Sequence, residues 1–134
     1  MFLRINTNPI KNNFAYDNTI NISEWASSIK NSIKNLEERI LSECIENAMI
    51  VGASHISQYP ILMSNVIKNV TKISLDNSIL KHEKRLYGTS CVCKPFKYLS
   101  KVKNSTVILF NSPYRKEMLR QIKSVNKNCN IIEC

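Results

Sequence analysis

Short apolar runs alternate along this chain with segments of helical periodicity, and that alternation restricts its fold more than any other feature. Ala48-Met49-Ile50-Val51 and Ser105-Thr106-Val107-Ile108-Leu109-Phe110 carry no charge over their whole length. A strand exposed on one face alternates apolar and polar residues, whereas a continuous run suits a central parallel strand covered on both faces. Lys72-Ile73-Ser74-Leu75, Cys91-Val92-Cys93 and Asn130-Ile131-Ile132-Glu133 read as three shorter strands. Between them, Ser54 to Val70 repeats apolar residues at helical spacing, with Pro60 fitting a first turn if the helix begins near Ser57. Ser78 to Arg85 reads as a short helix or loop, and Pro95-Phe96-Lys97-Tyr98-Leu99 opens a small helix. Ser112 and Pro113 supply an N-cap and first-turn proline for a helix running to about Val125 through Met118, Leu119 and Ile122.

Ahead of the first strand, Trp25, Ile29, Ile33, Leu36, Ile40 and Cys44 form one helical stripe. Ser23 as N-cap and Glu24 in the first turn predict a long amphipathic helix over 23–46. Its length makes the Trp25–Cys44 stripe a candidate contact with a second copy of the chain. Residues 1–22 read as a strand and loop extension, with Phe2-Leu3-Arg4-Ile5 as the strand and an Asn-rich connection containing Pro9 as the loop. Residues 23–134 read as one domain, consistent with a chain of 134 residues. Strands alternating with helices build a parallel sheet through right-handed crossovers. The expected fold is therefore α/β: a Rossmann-like three-layer sandwich around a mostly parallel five-stranded sheet of order 3-2-1-4-5.

Gly52 and Gly88 are the two glycines of the chain, too few for a Walker A loop or a complete G-x-G-x-x-G fingerprint. The formal net charge is +9, and nine Lys/Arg against two acids fall between Lys68 and Lys103, so that stretch carries +7 of it. Such a balance favours anionic partners, although no nucleic-acid-binding motif accompanies it and nucleic acid is not the expected partner. Five cysteines, an odd number, and a first decapeptide without an apolar core point to free thiols in a reducing, cytoplasmic setting. Cys91 and Cys93 would share one face of a strand, but the chain's two histidines, His55 and His82, complete no zinc signature, and no metal is expected. No apolar run approaches the length that spans a membrane.

In an open parallel sheet, ligands bind at the carboxyl ends of the strands, where the strand order reverses. Gly52, Ser54 and His55 fall there after the first strand, Asp76 and Asn77 after the second, and Asn111 after the fourth. Ser54, Ser57 and nearby backbone N–H groups could hold a phosphate at the helix start. Asp76 lies where dinucleotide folds place a ribose-binding acid, and His55 is the one candidate general acid or base. Lys81, Lys84 and Arg85 could meet ligand phosphates, and Tyr87 could stack on a base or sugar.

The segments Met49-Ile50-Val51-Gly52-Ala53-Ser54, Leu75 to Thr89, and Val107-Ile108-Leu109-Phe110-Asn111-Ser112-Pro113-Tyr114-Arg115-Lys116-Glu117-Met118 follow one another in a familiar order. They resemble the C-terminal Rossmann-like domain of sugar C-methyltransferases, which act on nucleotide-linked deoxy-ketosugars. The resemblance covers nearly the whole chain by pattern. The family's Lys-Gly after the first turn reads Ile56-Ser57 or Ser57-Gln58 here, and its Asn-Pro after the aspartate reads Asn77-Ser78. A similar α/β pattern precedes the acyltransfer domains of sugar acetyltransferases. The family's zinc module and S-adenosylmethionine domain would precede Met1, so the resemblance implies nucleotide-sugar recognition in surface-carbohydrate biosynthesis, without methyl transfer by this chain alone. A separate catalytic methyltransferase chain is then an expected partner, and a nucleotide sugar the expected ligand. The alternatives are an NAD(P)-type oxidoreductase or sugar epimerase/isomerase fragment using His55, and a basic module for nucleic-acid or protein interaction.

Overall fold

The computed structural model describes residues 9–134, with side chains from Asn21 onward. The chain divides into two compact units, Met1–Lys34 and Asn35–Cys134. The strand expected at Phe2–Ile5 lies outside the described residues.

Helix α1 spans Pro9–Ser42, so the Asn-rich connection from Pro9 is helical and not a loop. Ser23 therefore lies inside the helix and cannot cap it. A proline is compatible with the first helical position, where its missing N–H has no intrahelical acceptor to lose. The carboxyl end comes earlier than the periodicity suggests. Cys44 adopts φ +52, Ile45 N–H donates to Ile40 O at 3.0 Å, and Cys44 N–H donates to Leu41 O at 3.3 Å. This pair of bonds is a Schellman closure with cysteine in the position that usually holds glycine. It turns the chain out of the helix directly after Leu36 and Ile40, each 2% exposed. Trp25, at 64% exposure, and Ile22, at 62%, remain open to solvent.

Within residues 35–134, the strands are β1 Ala48–Val51, β2 Thr71–Leu75, β3 Val92–Lys94, β4 Thr106–Leu109 and β5 Asn130–Glu133. They form one sheet of order β3-β2-β1-β4-β5, and every neighbouring pair is parallel. The one departure is an isolated antiparallel bridge between Arg85 and Val92 at the outer edge of β3. The two uncharged runs, β1 and β4, are interior strands, β1 being the middle one, and β2 is interior as well although it carries Lys72. Met49, Leu75 and Val107 face Phe96 and Leu99 of the 3-10 segment Phe96–Lys101 and Ile122 of α4 Arg115–Val125, forming a buried cluster. Side-chain alternation sends Ile50, Ser74 and Ile108 to the other face, and all three are 0% exposed. The α/β sandwich expected from the sequence is the observed fold.

Three local boundaries differ from the sequence reading. The helix expected to run from Ser54 to Val70 is two helices, α2 His55–Met63 and α3 Asn65–Val70. Ser64 breaks them with extended backbone, and its Oγ caps α3 by accepting Ile67 N–H at 3.1 Å. Because α2 begins at His55, Pro60 is interior to it and not in its first turn. Helix α4 begins at Arg115, not just after Ser112, because Ser112 O accepts Arg115 N–H at 3.1 Å in a turn that precedes the helix.

Candidate functional site

The order of strands reverses between β1 and β4, so the carboxyl ends of these two strands define the mouth where a ligand would enter. At the end of β1, Gly52 has φ +90, a conformation costly for any side-chain-bearing residue. Its N–H donates to Leu75 O at 2.6 Å, extending the β1–β2 ladder into the turn. Ser57, only 1% exposed, donates its hydroxyl to Gly52 O and accepts Ser54 N–H at 3.3 Å. The turn is thus fixed by the third residue of α2, and the Ser57 hydroxyl, expected from the sequence as a phosphate contact, is buried and spent on the turn itself. The Ser54-x-x-Ser57 spacing was the available signal, since a hydroxyl at the third helical position can reach back to the cap.

Asp76 spans the ends of two strands. Its Oδ2 accepts Ala53 N–H at 2.8 Å and Lys81 Nζ at 3.2 Å, and its Oδ1 accepts Ser78 N–H at 2.8 Å. Burial by itself would raise its pKa, but the amides of Ala53 and Ser78 and the Lys81 ammonium outweigh that and hold the carboxyl below its ordinary value. The backbone carbonyl of Asp76 contacts His82 Nε2 at 2.8 Å, so His82 is half-buried and holds this loop in place. Asp76 therefore spends three of about four acceptor positions inside the protein.

The remaining sequence candidates separate. His55 is exposed, and its Nδ1 lies 3.2 Å from Gln58 Oε1. An amide oxygen can orient the ring but cannot stabilise an imidazolium as a carboxylate would. Asn77 is drawn across to α4, donating Nδ2–H to Gln121 Oε1 at 3.0 Å. Asn111 is exposed, and its backbone N–H donates to Cys134 O at 2.9 Å beside β5. Lys84 and Arg85 sit along the outer edge of β3, with Lys84 O accepting Cys93 N–H at 2.9 Å. Tyr87, 86% exposed, lies beside α2, where Gln58 Nε2 donates to its carbonyl at 2.6 Å. The structure thus joins the turn of Gly52 and Ser54 to Asp76 and Lys81 beside the mouth, with His55 opening α2; Lys84 and Arg85 lie at the outer edge of β3, and Tyr87 meets α2 at Gln58, the partner of His55.

The basic stretch is likewise not one patch. Lys81 pairs with Asp76 and Lys94 with Glu83, while Lys72 and Lys103 lie on the opposite, amino edge of the sheet. Two clefts, of about 330 and 350 Å³, also open on that amino edge. Concavity and strand topology therefore mark different ends of the same sheet.

Cys91 is 0% exposed and Cys93 1%. Burial pushes the Cys91 thiol up to about 11 and raises Cys93 as well, so both are protonated thiols packed in the interior. Among the described residues, no three His, Cys, Asp or Glu side chains come together as metal ligands, and no helix is long and apolar enough to cross a membrane. No protein-family model, no curated protein and no solved structure matches this chain.

Proposed function

We propose that this chain binds a nucleotide sugar at the mouth between β1 and β4, as a recognition module in cytoplasmic surface-carbohydrate biosynthesis. The observation that carries this reading is the Gly52 turn at the reversal of strand order. There the chain leaves a central parallel strand and enters α2 with the His55 and Ile56 amides lacking acceptors among the described residues. Amides so placed, with the positive end of the helix dipole behind them, favour a phosphate oxygen. Lys81 stands beside them through its contact with Asp76. A carboxylate offers about four acceptor positions, and three are filled at Asp76, so Oδ1 retains capacity for one sugar or ribose hydroxyl.

The same geometry favours recognition over reaction. A general base needs an orienting group and a reacting partner within reach, and the hydrogen-bond partner of His55 is the neutral Gln58. Chemistry on the sugar is then the work of a separate chain, for which a catalytic methyltransferase is our candidate. The exposed Ile22 and Trp25 of α1 offer an apolar surface for a second copy.

Isothermal titration with UDP-, GDP- and CDP-linked sugars tests the ligand. Saturable heat with at least one base, weakened about tenfold or more in Lys81→Ala, is the expected result. Absence of heat with all three at millimolar concentration would overturn the proposal.

A further inference from the structure

The cleft of about 330 Å³ on the amino edge has a chemistry of its own. It lies at the starts of β1, β2 and β4, below the 3-10 segment that carries Tyr98 and just before Asn104, which has φ +54. Met49, Ile73, Tyr98 and Val102 give it an apolar wall, and all four belong to or pack against the buried cluster behind it. Lys72 and Lys103 are its charged lining residues, both exposed, and no carboxylate lines it. Thr71, which lies between the lining residues Val70 and Lys72 but does not itself line the cleft, buries a hydroxyl with no hydrogen-bond partner among the described residues. The adjoining opening shares Asn47, Asn104 and Thr106 with this cleft but carries Glu43 and Glu46, so it repels an anion.

We propose that this amino-edge cleft binds a small organic anion: an apolar, preferably planar body carrying one phosphate or carboxylate. The body would lie against Tyr98, Ile73 and Val102. The anionic group would sit at Lys72 and Lys103, away from Glu46. Volumes of this size fall at the lower end of ordinary small-ligand pockets, which begin at about 300 Å³. A cleft of that size holds a smaller body than a nucleotide sugar, and it lies at the edge of the sheet opposite the mouth at Gly52.

Amide chemical-shift titration of the full chain tests this directly, with 1-naphthyl phosphate, 2-naphthoate, inorganic phosphate and 1-naphthol as probes. Saturable shifts at 47–49, 70–73 and 98–106 with one of the naphthyl anions are expected. The phosphate-to-carboxylate ratio then reports which anionic group the lysines prefer. Inorganic phosphate and 1-naphthol should each bind at least tenfold more weakly, since each supplies half of the recognition. A Lys72→Ala/Lys103→Ala double variant removes exposed side chains only. It should retain the remaining fingerprint and lose at least tenfold in affinity. The proposal is overturned by no saturable shift at millimolar probe, by shifts centred elsewhere, or by undiminished binding in the double variant. None of these outcomes bears on the opposite edge, which is probed by different ligands and different amides.

Discussion

Asp76 Oδ2 accepts the Ala53 amide at 2.8 Å, tying the end of β2 to the turn that follows β1. The carboxylate also closes its own loop through Ser78 and Lys81. It is the strut of the mouth, and removing its charge leaves the Ala53 and Ser78 donors competing for one amide oxygen. Asp76→Asn should cost about 1–3 kcal/mol at neutral pH, the range for losing hydrogen bonds to a charged, partly buried group. Because the folded-state pKa lies below the ordinary 3.8, the native carboxylate contributes this stability above that value and loses it as pH falls through the folded pKa. The gap between wild type and variant, read from urea midpoints, should therefore narrow as pH is lowered below 3.8. A gap independent of pH would show that Asp76 acts through shape and not through charge.

Cys44 closes α1 in a left-handed conformation, φ +52, without the glycine that such a position favours. The side chain is exposed. Cys44→Gly should raise stability by about 0.5–1 kcal/mol, the relief of left-handed strain less the extra freedom of the unfolded chain. The urea midpoint should shift upward with an unchanged slope.

Thiol accessibility follows the fold. Cys44 is exposed, Cys129 and Cys134 are partly covered, and Cys91 and Cys93 are buried. Burial raises the pKa of the latter four, to about 11 for Cys91 and Cys134, so little thiolate is present at neutral pH. Iodoacetamide labelling read by mass spectrometry should modify Cys44 first, and Cys91 and Cys93 only as the chain unfolds. Rapid native-state labelling of Cys91 would contradict the placement of β3 against β2.

The parallel sheet was legible because strands alternate with helices, and β1 and β4 were legible as interior strands because uncharged runs suit burial on both faces, whereas β2 is interior although it carries Lys72. Element ends were less legible where a single hydrogen bond decides them. Ser64 splits one periodic segment into α2 and α3 by capping the second, and periodicity carries no trace of a cap taken in mid-pattern. The α1 end depends on Cys44 entering a conformation that composition assigns to glycine. At the mouth, strand-end position located Gly52, Ser54 and Asp76. It did not reveal that the Asp76 oxygens point inward to Ala53 and Ser78, because a turn's own amides compete with any ligand for such a carboxylate. Ser57 was legible as a residue of the helix start but not as the lock of the turn, and Gln121 was not legible at all, its partner Asn77 lying 44 residues away in sequence.

The most direct test of the account is where a nucleotide sugar touches the chain. Amide shift mapping with whichever UDP-, GDP- or CDP-sugar gives heat should place the perturbed residues at 52–57, 76–81 and 111–115. The amino-edge residues 47–49 and 98–106 should be unmoved. Perturbation confined to the amino edge, or none at saturating ligand, would contradict the assignment of the mouth at Gly52 as the recognition site.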